Sequence, residues 1–442
     1  MASCTENREV VITGMGTVSP IGTGNEAYAA SLQAGRSGID TISLFDASHF
    51  ATTFAGEADG FDPALLLQGE DVLGRTNERR VLLACGAARL AVDDAGLSAD
   101  SFRPQQSAVL MGTGVHPAIP DMATLMDCGI YTGMFNDPDP DPGKFAQAIE
   151  KETSGENRFY PIANRANAGT LAIARQHGIA GPCYSIISAC AAATQAIGQG
   201  FRMIQRGEID IALCGGYDSM VFNFGVYAFC LLGLMSTCNE NPAGAMKPFD
   251  KNRDGFALGE GAGVLIFEER RQAEKRGAHI YARVAGYGAS VDAYKVTDPH
   301  PEGRGAVIAM RAALRDAGMA PGQVDYINAH GTATPKNDRI ETKAIRDVFG
   351  SHADTLAVSS TKSMIGHLMA AGGALELIAT VLGMEHGFVP PTINYETPDS
   401  SCDLDYVPNR SRSAEVRSAL SNSFGLGGQN ASVIVTKEMP KI

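Results

Sequence analysis

The sequence predicts a layered α/β fold in which helices cover a largely apolar sheet. Two observations carry that prediction. Short β-branched runs alternate with Ala-rich helical stretches along the whole chain, and the two halves repeat the same order of elements. The 442 residues suffice for two domains or for one large fold built from two halves. The 50 glycines are spread along the chain rather than gathered in a linker, which fits many tight turns and close backbone approaches.

The first strand is predicted at Glu9–Thr13 and ends in Gly14-Met15-Gly16. A Gly-x-Gly after a strand invites a dinucleotide reading, but Ser19 stands where the third glycine belongs. Pro20-Ile21-Gly22 also interrupts the helix such a fold needs at once, so a structural role is preferred. An Ala-rich helix over Val81–Ala95 leads to a strand at Ser107–Met111 and its turn Gly112-Thr113-Gly114. Asn136–Pro142 carries three X-Pro steps and three carboxylates, the composition of an exposed loop. The strand Cys183–Ile187 then turns abruptly into an Ala-rich helix, Cys190–Arg206, followed by strands at Ile209–Cys214 and Gly263–Phe267.

The second half opens with Ile280–Ala285, again ending in Gly-x-Gly (Gly286-Tyr287-Gly288). A Pro-rich turn, Asp298–Gly303, precedes the helix Arg304–Ala317, which closes in Ala-Gly as the first-half helix does. The strand Val324–Asn328 feeds Ala329-His330-Gly331. Beyond it come the helix Ile340–Val348, the strand Leu356–Ser359, the helix Ala370–Glu385 and strands at Ser418–Ser421 and Ser432–Val435. The correspondence predicts an internal duplication of about half the chain rather than a short-period repeat.

A net charge of −13 argues against a nucleic-acid surface, where a basic excess is expected. The chain opens on a polar stretch without a charged-then-apolar leader, and its longest apolar runs fall far short of the roughly 20 residues that span a bilayer. Nine scattered cysteines without a CxxC pair fit reduced thiols in a cytoplasmic enzyme.

Chemistry concentrates in four turns. Cys190 sits at a strand-to-helix turn, where a thiol is exposed above the sheet beside backbone N–H groups that favour a thiolate or an oxyanion. A free cysteine is otherwise most often buried and inert. His330 and His367 each adjoin a glycine in a turn, where open α/β sheets place ligands. They are read either as hydrogen-bonded structural residues or as donors to a carbonyl that develops enolate charge. No HxH, HExxH or Cys/His pair spacing supports a metal. Lys362, in an otherwise uncharged turn, is expected to be partly buried against a carboxylate, with Asp338, Glu341 and Glu376 as candidates. The Gly-rich Asn422–Asn430 is either a backbone donor to an oxyanion or a tight hairpin.

Taken together these blocks resemble the β-ketoacyl-acyl-carrier-protein synthases, in particular the synthase II type, on the thiolase fold. The resemblance runs from Val10–Gly16 to Val433–Val435 and includes Lys247–Phe256, Gly259–Gly263 and Val389–Asn394. It implies two pseudo-repeated βαβαβαββ halves, residues 7–269 and 270–438, in a five-layer α-β-α-β-α arrangement. It also implies a Cys-His-His site for a decarboxylative condensation with malonyl-carrier protein. Cys190 would take the acyl chain, and the N–H groups of Cys190 and Phe424 would form the oxyanion hole, with Phe424 as a gate. His330 and His367 would promote decarboxylation, and Lys362 would polarise the site with Asp338, Glu341 and Glu376 in support. Thr297, Thr332 and Thr334 match positions that touch the pantetheine arm. No cofactor is implied beyond the phosphopantetheine that carries the substrates.

The family relation also frames the alternatives. A degradative thiolase would carry a second reactive cysteine where Phe424-Gly425 stands, and a non-catalytic chain-length factor would lack Cys190. The segment at about 115–160, which lines the dimer interface and acyl pocket in the family, departs from a typical synthase II. Gly233 stands where a basic carrier-docking residue is common, and Arg75, Arg79 and Arg80 are a candidate substitute patch. Pro335–Arg339 resembles the ketosynthase subunits of type II polyketide systems. The expected partners are an acyl carrier protein and either a second copy or a chain-length-factor-like subunit.

Overall fold

The computed structural model describes residues 8–76, 78–114 and 166–437. The segment at 115–160 and the Asn136–Pro142 loop lie outside the described residues. The first half runs strand Val10–Ser19, helix Arg79–Asp94, strand Ser107–Thr113, helix Ala168–Gln176, strand Cys183–Ile186, helix Ala192–Gln205, then strands Ile211–Ser219 and Leu258–Glu269. The second half repeats it: Ala282–Val291, Arg304–Ala317, Tyr326–Asn328, Pro335–Phe349, Ala357–Ser359, Gly372–His386, Ser418–Gly425 and Gln429–Thr436. Each half is βαβαβαββ.

The pairing is symmetric as well. Ser107–Thr113 lies parallel to both Cys183–Ile186 and Ile211–Ser219, and Leu258–Glu269 is antiparallel to Ile211–Ser219 and Val10–Ser19. Tyr326–Asn328, Ala357–Ser359, Ser418–Gly425, Gln429–Thr436 and Ala282–Val291 repeat that pattern. The halves join where Val10–Ile12 pairs with Ala282–Val284.

Side-chain alternation along the strands builds the layers. On Ser107–Thr113, Leu110 packs into the central core with Ile197, Phe201, Leu375 and Ile378. Its neighbours Val109 and Met111 face the outer core with Val81 and Ala88. The helices Ala192–Gln205 and Gly372–His386 therefore lie between the two five-stranded halves of the sheet and contact both. Arg79–Asp94 and Ala168–Gln176 cover one outer face, while Arg304–Ala317 and Pro335–Phe349 cover the other. The result is the five-layer thiolase arrangement. Among the described residues no helix is long and apolar enough to cross a membrane.

The two Gly-x-Gly motifs lie inside the strands Val10–Ser19 and Ala282–Val291 rather than ending them, and they have a shared structural cause. A Cβ on Gly16 would lie 2.1 Å from the Ala87 carbonyl oxygen, and one on Gly288 would lie 2.2 Å from that of Ala309. Each pair lets an outer helix cross its strand at backbone contact, which only glycine permits.

Boundaries differ from expectation in places. The helix after Cys190 begins at Ala192, so the thiol sits in the turn before it. The helix expected from Ile340 begins at Pro335, whose fixed φ suits the first helical position. Asn25–Ala34 and Ala168–Gln176 were not anticipated as helices. Arg80 is fully buried, with its guanidinium on Glu78 and the Gly114 carbonyl, and Arg79 is bound to the buried Glu260. Arg80 is therefore out of reach of a docking partner, while Arg79 is tied to Glu260 with 33% of its side chain exposed.

Candidate active site

Three turns at the ends of strands converge. Ser185-Ile186 leads to Cys190, Tyr326–Asn328 leads to His330, and Ala357–Ser359 leads through the short helix Lys362–Ile365 to His367. Each turn contains a non-glycine residue at positive φ: Ala189 (48°), Ala333 (60°) and Met369 (46°). Backbone strain of this kind persists only where the surrounding structure holds it, and here it accompanies every chemically active side chain.

The ligating atoms of Cys190, His330 and His367 all lie within 4.8 Å of one another, and all three residues are buried. The two imidazoles meet edge to face, ring centroids 5.4 Å apart. Phe424 lies against His330 at 5.8 Å, and Phe256 lies edge-on to His367 at 5.3 Å. The Phe424–Gly425 backbone presses on the Cys190 turn: a Cβ on Gly425 would sit 3.1 Å from both the Cys190 nitrogen and the Ser188 oxygen. Below this contact the Thr194 and Ser423 hydroxyls bond across the two halves at 2.7 Å. The turn after Phe424 is also a hairpin, closed by Leu426–Gly428. Both readings of the Gly-rich segment are thus compatible with its shape.

Burial pushes the Cys190 thiol up to about 11, although the Leu426 N–H and the Lys362 charge work in the opposite direction. The thiolate expected at a helix N-terminus is outweighed by desolvation, so the resting group is a thiol. Both histidines are held well below the usual imidazole range, first by burial and then by the Lys362 charge. They are neutral at pH 7.

His367 has a defined tautomer. Its Nδ1 accepts the Met369 backbone N–H at 3.3 Å, which leaves the proton on Nε2. An ion bound through Nε2 would require a proton on Nδ1 facing that N–H, donor against donor. The close Cys-His-His grouping therefore suits hydrogen-bond donation better than metal ligation. Nδ1 of His330 has no partner among the described residues.

The carboxylates lie beneath this layer. Glu341 accepts the N–H groups of His330 and Gly331, one on each oxygen at 2.8 Å, and burial raises it to about 7. Asp338 accepts the N–H groups of Thr332 (3.0 Å) and Phe249 (2.8 Å) and lies beside Arg253. Glu376 binds Lys362, so of the three carboxylates proposed for that lysine only Glu376 pairs with it. Asp338 and Glu341 instead hold the His330 turn. Sequence reasoning missed Met369, Asp218 (whose carboxylate accepts the Ala370 N–H at 3.1 Å) and Arg253. Each acts through backbone geometry or distant contacts that leave no local signal.

A cavity of about 610 Å³ opens above the site. Cys190, His330, His367 and Phe424 lie on its wall together with Thr297, Thr332 and Thr334. Lys362, Asp338, Glu341 and Glu376 stay outside it. Gly233 is at the rim beside Leu231 and Leu232, which are 62% and 50% exposed.

Comparison with known proteins finds relatives along nearly the whole chain. The β-ketoacyl synthase N-terminal domain family matches residues 7–273, and the β-ketoacyl synthase C-terminal domain family matches 281–396. A 3-oxoacyl-[acyl-carrier-protein] synthase 2 from Coxiella burnetii is 40% identical over 432 residues, covering 98% of this chain and 99% of that protein. The enzyme of the same name from Synechocystis is 40% identical over 434 residues, with the same coverage. Among solved structures, the ishigamide ketosynthase/chain length factor superposes with a TM-score of 0.85 at 38% identity, covering 98% of this chain and all of that one. A type II polyketide ketosynthase bound to its acyl-carrier protein and a hexaketide gives 0.84 at 31%, with the same coverage. With both family domains matched and near-complete relatives at 40% identity, the chain belongs to the β-ketoacyl synthase family.

Proposed function

We propose that this protein is an elongating ketosynthase that condenses an acyl group held on Cys190 with malonyl-acyl-carrier protein. The observation that carries the reading is the convergence of Cys190, His330 and His367 within 4.8 Å at the wall of a 610 Å³ cavity. In the first half-reaction Sγ attacks the carbonyl of an acyl thioester. The carbon–sulfur bond to the carrier breaks, and the carrier thiol leaves with the proton that Sγ gives up. Backbone N–H groups of Cys190 and Phe424 receive the oxyanion.

In the second half-reaction the malonyl carboxyl carbon departs as CO₂, and the electron pair passes to the thioester as an enolate. His367 donates to that oxygen through Nε2–H, the tautomer set by Met369, and His330 donates beside it. The enolate carbon attacks the acyl-Cys190 carbonyl. Its carbon–sulfur bond breaks to release a 3-oxoacyl-carrier protein, and the cysteine thiolate takes up one proton from solvent. Burial keeps both imidazoles neutral, and the Lys362 charge adds to it from below. Thr297, Thr332 and Thr334 line the path of the pantetheine arm.

The reading includes cytoplasmic action, an acyl carrier protein at the cavity mouth, and a dimer. Among the described residues Cys183–Ile186 ends the sheet, and Tyr184 and Ile187 beside it are 49% and 52% exposed. Such an edge needs covering. The similarity to a ketosynthase/chain length factor supports a second subunit as the cover, with a second copy as the other outcome. Mass spectrometry of carrier-bound products from a panel of acyl primers tests the function and separates fatty-acid from polyketide use. Absence of any 3-oxoacyl product with every primer overturns it. Native mass spectrometry of the protein isolated with its genomic neighbours distinguishes homodimer from heterodimer.

A further inference from the structure

The block Lys247–Phe256 is prominent in the sequence, yet apart from Phe256, which lies edge-on to His367, none of its side chains enters the chemistry above. Its one buried cation, Arg253, has a side chain only 5% exposed and no route to solvent-borne substrates. Its contacts reach far along the chain. Nη1 donates to the Asp399 carboxylate at 2.6 Å and to the Asp250 carbonyl at 2.7 Å. Nε donates to the Thr334 carbonyl at 3.4 Å and lies 3.7 Å from the Asp338 carboxylate, while Nη2 donates to the Pro335 carbonyl at 3.3 Å. Asp399 is itself fixed by the Ser401 N–H at 2.8 Å and the Ser401 hydroxyl at 2.7 Å. The guanidinium is a rigid planar fork held on one side by an anchored carboxylate. Its other side holds two successive carbonyls of the turn that forms the cavity wall.

That turn is where Thr332 and Thr334 meet, their hydroxyls 2.9 Å apart, and both line the cavity. His330 is held differently, by Glu341 through its own N–H. The outer part of the turn and the histidine thus have separate anchors. Resting on the ketosynthase reading, we propose that Arg253 is a positioning residue for the pantetheine arm. It sets the Thr332–Pro335 wall through the Thr334 and Pro335 carbonyls, with Asp399 as its own anchor, and does not act on the decarboxylation step.

The test compares wild type with Arg253→Lys, which keeps the charge and loses the fork, and with the milder Asp399→Asn. Two malonyl donors are used, one carrying the full pantetheine arm and one truncated to an ethyl thioester. The expected result is a KM for the pantetheine donor raised roughly tenfold, with kcat within about twofold of wild type. Turnover of the ethyl thioester and iodoacetamide alkylation of Cys190 should be unchanged. An unchanged KM for the pantetheine donor overturns the proposal. So does a parallel fall in kcat for both donors, or slowed alkylation, since either places the effect on the site as a whole. Failure of the wild-type protein to consume either donor would instead sink the ketosynthase reading itself. If Arg253→Lys does not fold, the same outcomes are read from Asp399→Asn.

Discussion

Lys362 and Glu376 form a charge pair in which each side chain is 1% exposed, joining the turn before His367 to the helix that follows it. Removing one member of such a pair leaves an uncompensated buried charge, at a cost of about 3 to 5 kcal/mol. Lys362→Met should therefore lower the denaturation midpoint sharply, and Lys362→Met with Glu376→Gln should recover a large part of the loss. Urea unfolding of the two single variants and the double variant measures this, and additive losses would contradict it.

The thiol of Cys190 is raised to about 11 by burial. Alkylation by iodoacetamide should accelerate by roughly tenfold per pH unit from pH 7 to 10 without a plateau. A plateau below pH 8 would show a stabilised thiolate instead. Cys190→Ala should abolish acyl transfer, and Cys190→Gln should retain malonyl decarboxylation while losing condensation.

Both site histidines are depressed by burial and by Lys362, so they stay neutral as pH falls through the ordinary imidazole range. The acid limb of malonyl decarboxylation by Cys190→Gln should accordingly lie well below pH 6.5. A limb at or above that value would mean that the histidines are solvated in the working enzyme.

Glu341 is raised from its ordinary 4.5 to about 7, its burial outweighing the bonds from Gly331 and His330. A raised carboxyl favours folding fully below its unfolded pKa, and the advantage is lost as pH climbs through the folded value. Between pH 4.5 and 7 wild type should thus lose up to about 3 kcal/mol relative to Glu341→Gln. Equal pH slopes for the two proteins in chemical denaturation would contradict this.

Gly16 and Gly288 occupy equivalent crossings in the two halves. Alanine at either drives a methyl group into a helix carbonyl at 2.1 or 2.2 Å, an obstacle that cannot turn aside as a side chain would. Each substitution should cost about 3 kcal/mol or more in equilibrium unfolding. A loss under about 1 kcal/mol would mean that the helix shifts freely.

The ten strands of the two repeats were legible, most plainly where a strand buried on both faces is written as an unbroken β-branched run such as Val10-Val11-Ile12. The Ala168–Gln176 helix was not, since it has Gly169 in its first turn and buries Thr170 while leaving Leu171 exposed, which blurs the apolar stripe. Cys190, His330 and His367 were found as individuals in promising turns, and their convergence became predictable only through the family's ordered blocks. Which carboxylate met Lys362 was undecidable from spacing alone: Asp338, Glu341 and Glu376 share a composition and differ in what faces them. Arg253 was invisible because its partners Thr334 and Asp399 lie 81 and 146 residues away.

The duplicated order of elements also bears on what activity reports. The strand–turn–helix unit that ends in Ala192–Gln205 supplies the thiol, and its counterpart ending in Gly372–His386 supplies His367. Neither copy is chemically complete. The reaction centre exists only along the seam between the copies, where Thr194 grips Ser423. Turnover is therefore a gauge of how the twins are docked. A lesion that leaves both intact but parts them by an ångström would silence a molecule whose every secondary-structure element is still in place.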